Sequence, residues 1–171
     1  VRGRASFIDA HTVSVTPSSP ALNPDGTPAE NEPSLFAAKD IIIATGSHAK
    51  MPPIFGIDLP QVITSTELLS VAEPPQRLCI IGAGVIGMEF ASCFQAFGSQ
   101  VTVVEFLREC LPTMDGDIAK RLRKLLEKRG VEFHLQSAVE SISPASSAVS
   151  VSFTKKSKPL QVEADLVLVA T

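Results

Sequence analysis

The feature that most constrains this chain is residues 77–90, RLCIIGAGVIGMEF, where an apolar β-type run meets three glycines and then a helical pattern. Gly82-Ala83-Gly84-Val85-Ile86-Gly87 is a G-x-G-x-x-G. On its own that spacing marks only a tight turn. With a strand before it, an amphipathic helix after it and a second strand ending in an acid, it predicts a βαβ unit that cradles a dinucleotide diphosphate. Each glycine then has a physical task. Gly82 permits the sharp turn out of the strand, Gly84 lets a pyrophosphate approach the backbone, and Gly87 lets the helix pack closely on the sheet. The diphosphate is expected over the helix N-terminus, where unpaired N–H groups and the positive dipole end favour an anion. The candidate cofactor-binding run is therefore Gly82, Ala83, Gly84, Val85, Ile86, Gly87, Met88 and Glu89.

Glu105 carries the second half of the signal. It ends QVTVVE, close to the spacing of about 20 residues at which such units place an acid on the adenosine ribose. A carboxylate there accepts from the 2′- and 3′-hydroxyls and repels a 2′-phosphate, which favours NAD over NADP. Arg108 is the one feature pulling towards NADP, and it reads as a solvated loop arginine. Glu89, expected in the first turn of the glycine-motif helix, serves either the helix dipole or the nicotinamide side; the sequence leaves both open.

The rest of the chain alternates in a way that fits this unit. RLCIIGA reads as strand, 84–97 as helix, QVTVVEF as strand, 117–129 as helix with Ile118, Leu122, Leu125 and Leu126 on one face, and VEFHLQSAV as a third strand, with Gly130 stopping the second helix. Strand–helix–strand–helix–strand implies a parallel sheet with right-handed crossovers. AVSVSFTKK and PLQVEADLVLVAT follow as a hairpin and a final buried strand. Upstream, residues 4–8 and 11–16 read as two strands with a turn. PSSPALNPDGTPAENEP is a solvated loop. The run Ile41-Ile42-Ile43 has the marks of a strand covered on both faces. Residues 48–76 read as a connection holding one short helix, STELLSVA, capped by Ser65 with Glu67 in its first turn. The expected fold class is α/β: a Rossmann-like NAD-binding domain over 77–171 with a parallel sheet, and a β-meander section over 1–47 belonging to a neighbouring domain.

Charge and cysteine usage exclude other classes. A net charge of −3 with both signs interspersed argues against nucleic acid as a partner and against an anionic membrane surface. No apolar run reaches the length of a membrane span, and the N-terminus lacks a signal-peptide apolar region. Beginning at Val1 and stopping in an apparent strand at Thr171, the chain looks cut from something longer. The three cysteines form no CxxC or Cys/His cluster, so no metal site is expected, the thiols read as buried, and a reducing cytoplasm is the expected compartment. His11, His48 and His134 have no partner acid in a recognisable spacing, and His134 reads as structural. No catalytic residue is assigned.

IIIATGS upstream, GAGVIGMEFAS in the middle and VTVVEFL beyond it, in that order, make the whole chain resemble the FAD/NAD-linked disulfide oxidoreductases, and within them the dihydrolipoamide dehydrogenases. The resemblance implies FAD as a second cofactor. Thr45, Gly46 and Ser47 would lie on the flavin side, and Ala5 at the adenine end of FAD. Val139 would lie against the adenine of NAD, Gly82 through Glu89 would hold the NAD diphosphate and nicotinamide side, and ADLVLVAT would start the return to the flavin. It also implies residues 1–47 as the last β-section of an FAD-binding domain and a homodimeric full-length protein, with the rest of its own polypeptide as partner. Three family features are missing from this sequence: the C-x-x-x-x-C redox pair, the N-terminal FAD-adenosine glycine motif, and the C-terminal dimerisation domain with its His-Pro segment. The implied function is the NAD-binding central part of an enzyme that passes hydride between NAD and flavin or disulfide, with the isolated chain inactive. The same motifs fit the glutathione- or mercuric-type reductases and the NADH oxidases, or a free-standing NAD-binding module.

Overall fold

The structure is a computed structural model and describes residues 2–19 and 32–171. The chain divides into two compact units, Val1–Ser47 and His48–Thr171. In the first, β1 (Gly3–Phe7), β2 (Thr12–Pro17) and β3 (Ser34–Ala37) form an antiparallel sheet with β2 in the centre. Ala5 pairs with Val15, and Val13 with Phe36. Most of the proline-rich stretch read as a solvated loop lies outside the described residues. The expected strand at Ile41-Ile42-Ile43 does not form. Ile42 is 90% and Ile43 70% exposed, and no described strand pairs with them. An apolar β-branched run becomes a buried strand only where neighbours cover both of its faces.

The second unit is built on a five-stranded, wholly parallel sheet. Its members are β4 (Val62–Thr64), β5 (Arg77–Ile81), β6 (Gln100–Val104), β7 (Glu132–His134) and β11 (Leu166–Val169), in the order β4-β11-β5-β6-β7. Residues 48–76, read from the sequence as a connection, pack into this unit and supply its edge strand. They also carry α1 (Ser65–Leu68), whose cap is Thr64 rather than Ser65. The Thr64 side chain accepts from the helix backbone while Glu67 reaches back to the Thr64 N–H at 2.9 Å, a reciprocal capping box. Helix α2 (Val85–Ala96) crosses from β5 to β6, and α3 (Gly116–Lys128) from β6 to β7. Gly130, at φ +99°, ends the second of these. On α3 the buried face is rotated from expectation: Ala119 and Leu126 are buried and Leu122 half-buried, whereas Ile118 and Leu125 are exposed. Small Ala119 belongs to the apolar stripe, and counting only large residues misplaced it.

The expected third strand is two strands. Gln136, at φ +54°, breaks it after β7, and β8 (Ser137–Ala145) leaves the parallel sheet to form an antiparallel meander with β9 (Ala148–Lys155) and β10 (Lys158–Ala164). Strand alternation then explains two cores. Leu78, Ile80, Val101, Val103 and Leu168 face α2 and α3. Cys79, Ile81, Val104, Val167 and Val169 face the meander, meeting Ile142, Val149, Val151 and Phe153. One face of the sheet is therefore covered by helices and the other by strands, and burial on both sides is why its strands are continuously apolar. No helix of the described residues is long and apolar enough to cross a membrane.

Candidate functional site

The β5–α2 junction treats its three glycines differently. Gly82 has φ +106°, and a Cβ there would lie 2.6 Å from the Ala170 carbonyl oxygen. Gly87 is packed against the turn itself, where a Cβ would lie 2.1 Å from the Gly82 carbonyl oxygen and 3.3 Å from Ile80 Cγ2. Both are required by the fold. Gly84 is not. It caps α2 with ordinary extended angles, φ −70° and ψ −173°, and a Cβ would meet nothing within 4 Å. It also offers no side-chain hydrogen bond to the helix start. The first N–H groups of α2 are left open to a ligand, since the opening turn of any helix has no intrahelical acceptors.

Glu105, only 8% exposed, closes the base of this turn. One oxygen accepts from the Ala83 N–H at 2.5 Å and the other from the Leu107 N–H at 2.7 Å. Two bonds do not exhaust a carboxylate with about four lone-pair sites, so the group can hold the loop and still accept from a ligand's hydroxyls.

Gly82, Gly84, Glu105 and Val139 line one cleft of about 570 Å³, walled by Phe106 and Leu107 on one side and by Ile54 with its two preceding prolines on another. Four of the sequence-derived candidates thus converge. Others do not reach it. Ala83 and Met88 are buried in the core under α2, and Gly87 is buried against the turn. Val85 and Ile86, about half exposed, and exposed Glu89 lie along α2 outside the cleft lining. Glu89 is also one turn later than expected: the first turn of α2 holds no acid. Ala5, Thr45, Gly46 and Ser47 belong to the first unit and are exposed, with Gly46 at φ +79°. Pro52, Pro53, Ile54 and Ala170 were not foreseen as lining residues. The apolar, proline-rich run MPPIFGIDLP is the one signal that could have pointed to the first three.

The titrating groups nearby are structural. Burial pushes the Cys79 thiol up to about 12; burial and then the Glu109 carboxylate push Cys110 up to about 11. Neither is a thiolate at neutral pH, which makes both poor nucleophiles. Burial holds His134 below the usual imidazole value despite Glu132 at 2.9 Å, and its ring packs on Phe153 with 4.8 Å between centroids. Arg123 donates to both Glu109 oxygens, at 2.6 and 3.0 Å, and holds that carboxyl below the usual range. No group of three His, Cys, Asp or Glu among the described residues could hold a metal.

Known proteins resemble this chain in sequence and in fold. The chain is 37% identical over 99% of its length to leghemoglobin reductase of Glycine max, and 36% identical over 99% to the mitochondrial dihydrolipoyl dehydrogenase of Pisum sativum. It covers 32% and 33% of those proteins, so it spans about a third of the curated relatives it matches. Among solved structures, the HOCl-induced flavoprotein disulfide reductase RclA of Escherichia coli matches 100% of the chain at 35% identity with a TM-score of 0.76, again over 35% of that protein. The water-forming NADH oxidase of Lactobacillus brevis, at 24% identity and a TM-score of 0.75, shares the fold. The family described as pyridine nucleotide-disulphide oxidoreductase matches residues 2–171, and the chain belongs to it.

Proposed function

We propose that this chain is the NAD(H)-binding central part of a flavin-dependent, dihydrolipoamide dehydrogenase-like oxidoreductase. The observation that carries the reading is Gly84: the fold does not need a glycine there, and its missing side chain leaves the uncapped start of α2 open beside a carboxylate. The open N–H groups of Gly84 and Val85 would hold the cofactor diphosphate by charge and dipole. Glu105 would accept from the adenosine ribose hydroxyls, and Val139 would lie against the adenine. Glu89, exposed on α2, remains on offer for the nicotinamide side. Bound NAD supplies the hydride chemistry of the full-length enzyme, in exchange with FAD and a disulfide.

The chain's own contribution is to bind and orient. It offers donors where the diphosphate lies, an acceptor that discriminates against a 2′-phosphate, and apolar walls that exclude water from the adenine end. Ala5, Thr45, Gly46 and Ser47 are assigned to the flavin side of the same enzyme, and Val1–Ser47 to the last β-section of its FAD-binding domain. The exposed Ile42 and Ile43 support that assignment, since such a run is suited to further strands. With no reactive thiol pair, the chain alone is expected to bind cofactor without turnover. A homodimeric full-length protein follows from the resemblance. Three free cysteines, two of them buried, support a reducing compartment, and we assign the cytoplasm; the pea relative is named as mitochondrial.

Calorimetric titration of the chain with NADH and NADPH tests the reading. Measurable NADH binding, tighter than NADPH, is expected. Tighter NADPH binding would overturn the role given to Glu105, and absence of both would overturn the site.

A further inference from the structure

Leu111 is a large residue in a left-handed conformation, φ +51°. Bulky side chains are genuine outliers there, and such backbone persists only where its surroundings enforce it, most often at functional sites. The enforcement is visible. The side chain is 7% exposed and packs in the core that also holds Ala83, Met88 and Cys110. Its carbonyl accepts from the Met114 N–H at 2.9 Å, and the neighbouring Cys110 thiol donates to the Ala119 carbonyl at 3.4 Å. A glycine or asparagine would adopt this conformation at less cost but would not anchor the loop in the core.

What the conformation achieves is one hydrogen bond: the Leu111 N–H donates to the Ala83 carbonyl at 2.8 Å. Ala83 is the middle residue of the Gly82-Ala83-Gly84 turn. Its N–H is already held by Glu105 at 2.5 Å, so both backbone polar groups of Ala83 are tied to the segment following β6. The peptide joining Ala83 to Gly84 is trans and planar, and its C=O and N–H therefore point to opposite sides. Fixing the carbonyl on Leu111 fixes the direction of the Gly84 N–H, and Gly84 lines the cleft.

We propose that Leu111 is a positioning residue for the dinucleotide: its strained backbone N–H orients the Ala83–Gly84 peptide so that the Gly84 N–H is preset for the diphosphate. The inference rests on the dinucleotide reading above. It predicts an effect confined to ligands that carry the diphosphate.

The test replaces Leu111 by its α-hydroxy acid analogue in the full chain through nonsense suppression, which turns one amide into an ester and removes only the N–H. NADH and adenosine are then titrated separately by ligand-observed NMR. NADH affinity is expected to fall about tenfold, with adenosine unchanged within about twofold. Equal weakening of both ligands, or unchanged NADH affinity, would overturn the proposal. If the ester chain does not fold, Leu111→Met serves instead. It keeps both the N–H and an apolar anchor of similar volume, so NADH affinity is expected to stay within about threefold. A tenfold loss in that folded variant would overturn the proposal, because the side chain and not the N–H would then be responsible. A wild-type chain that binds no NADH would instead sink the dinucleotide reading, before any variant is made.

Discussion

The starts of α2 and α3 meet the same need with opposite solutions. At α3, Asp115 supplies the missing acceptor itself, taking the Asp117 N–H at 3.0 Å and the Ile118 N–H at 3.3 Å. At α2, Gly84 supplies nothing, although both helices follow strands of the same parallel sheet. A capped start is complete within the protein. An uncapped one, with a buried carboxylate beneath it and a cleft beside it, leaves its N–H groups to water or to a ligand. On the proposed function the glycine motif is two devices overlaid: Gly82 and Gly87 are required by the fold, and Gly84, which the fold does not require, would serve the dinucleotide.

That division can be broken by substitution. The largest effect is expected from Gly87→Ala. Its new methyl would meet the Gly82 carbonyl oxygen at 2.1 Å, and backbone cannot give way as a side chain can, so urea unfolding should show a loss of about 3 kcal/mol. Next comes Glu105→Ala, which leaves the buried Ala83 N–H without its acceptor. A stability loss of about 2 kcal/mol is expected, together with loss of most of the preference for NADH over NADPH in paired titrations. Asp115→Ala sharpens the comparison from the other side. It should cost about 1 kcal/mol, the ordinary worth of an N-cap, and leave NADH affinity unchanged.

The smallest effect is one of pH. Glu109, paired with Arg123, has its folded-state value below the ordinary 4.5. The unfolded chain therefore takes up protons first as pH falls, so the pair's contribution is fully present above 4.5 and is lost as pH falls through the lowered value. Acid unfolding followed by circular dichroism should show this dependence in wild type and a weaker one in Arg123→Met. Because the pair anchors the loop that reaches the glycine turn, a matching change in NADH affinity at neutral pH would show the two junctions to be coupled.

The glycine junction was legible in the sequence because its constraints are local and steric: a strand, a turn needing φ above zero and a close helix all leave marks in adjacent residues. Thr64 as cap in place of Ser65 is a one-residue error of the kind helix starts invite. Other features depended on contacts far along the chain. The Ile41–Ile43 run declares that it wants two covered faces but not what covers them. Gln136 breaks the third strand with a left-handed turn that glutamine does not advertise, and so the meander's first strand was read into the parallel sheet. Helical phase turns Met88 into the core and carries Glu89 past the first turn, neither of which the linear motif displays. Ile54 reaches the cleft through tertiary packing with the meander, which no local pattern encodes.

The most direct measurement is calorimetric titration of NADH into folded Gly84→Val. A side chain at that position meets open space in the protein, so the variant should unfold at the wild-type midpoint while NADH binding disappears, the diphosphate being blocked by the new methyl groups. Wild-type NADH affinity in that folded variant would contradict the account, because the start of α2 would then be no more a binding site than the capped start of α3.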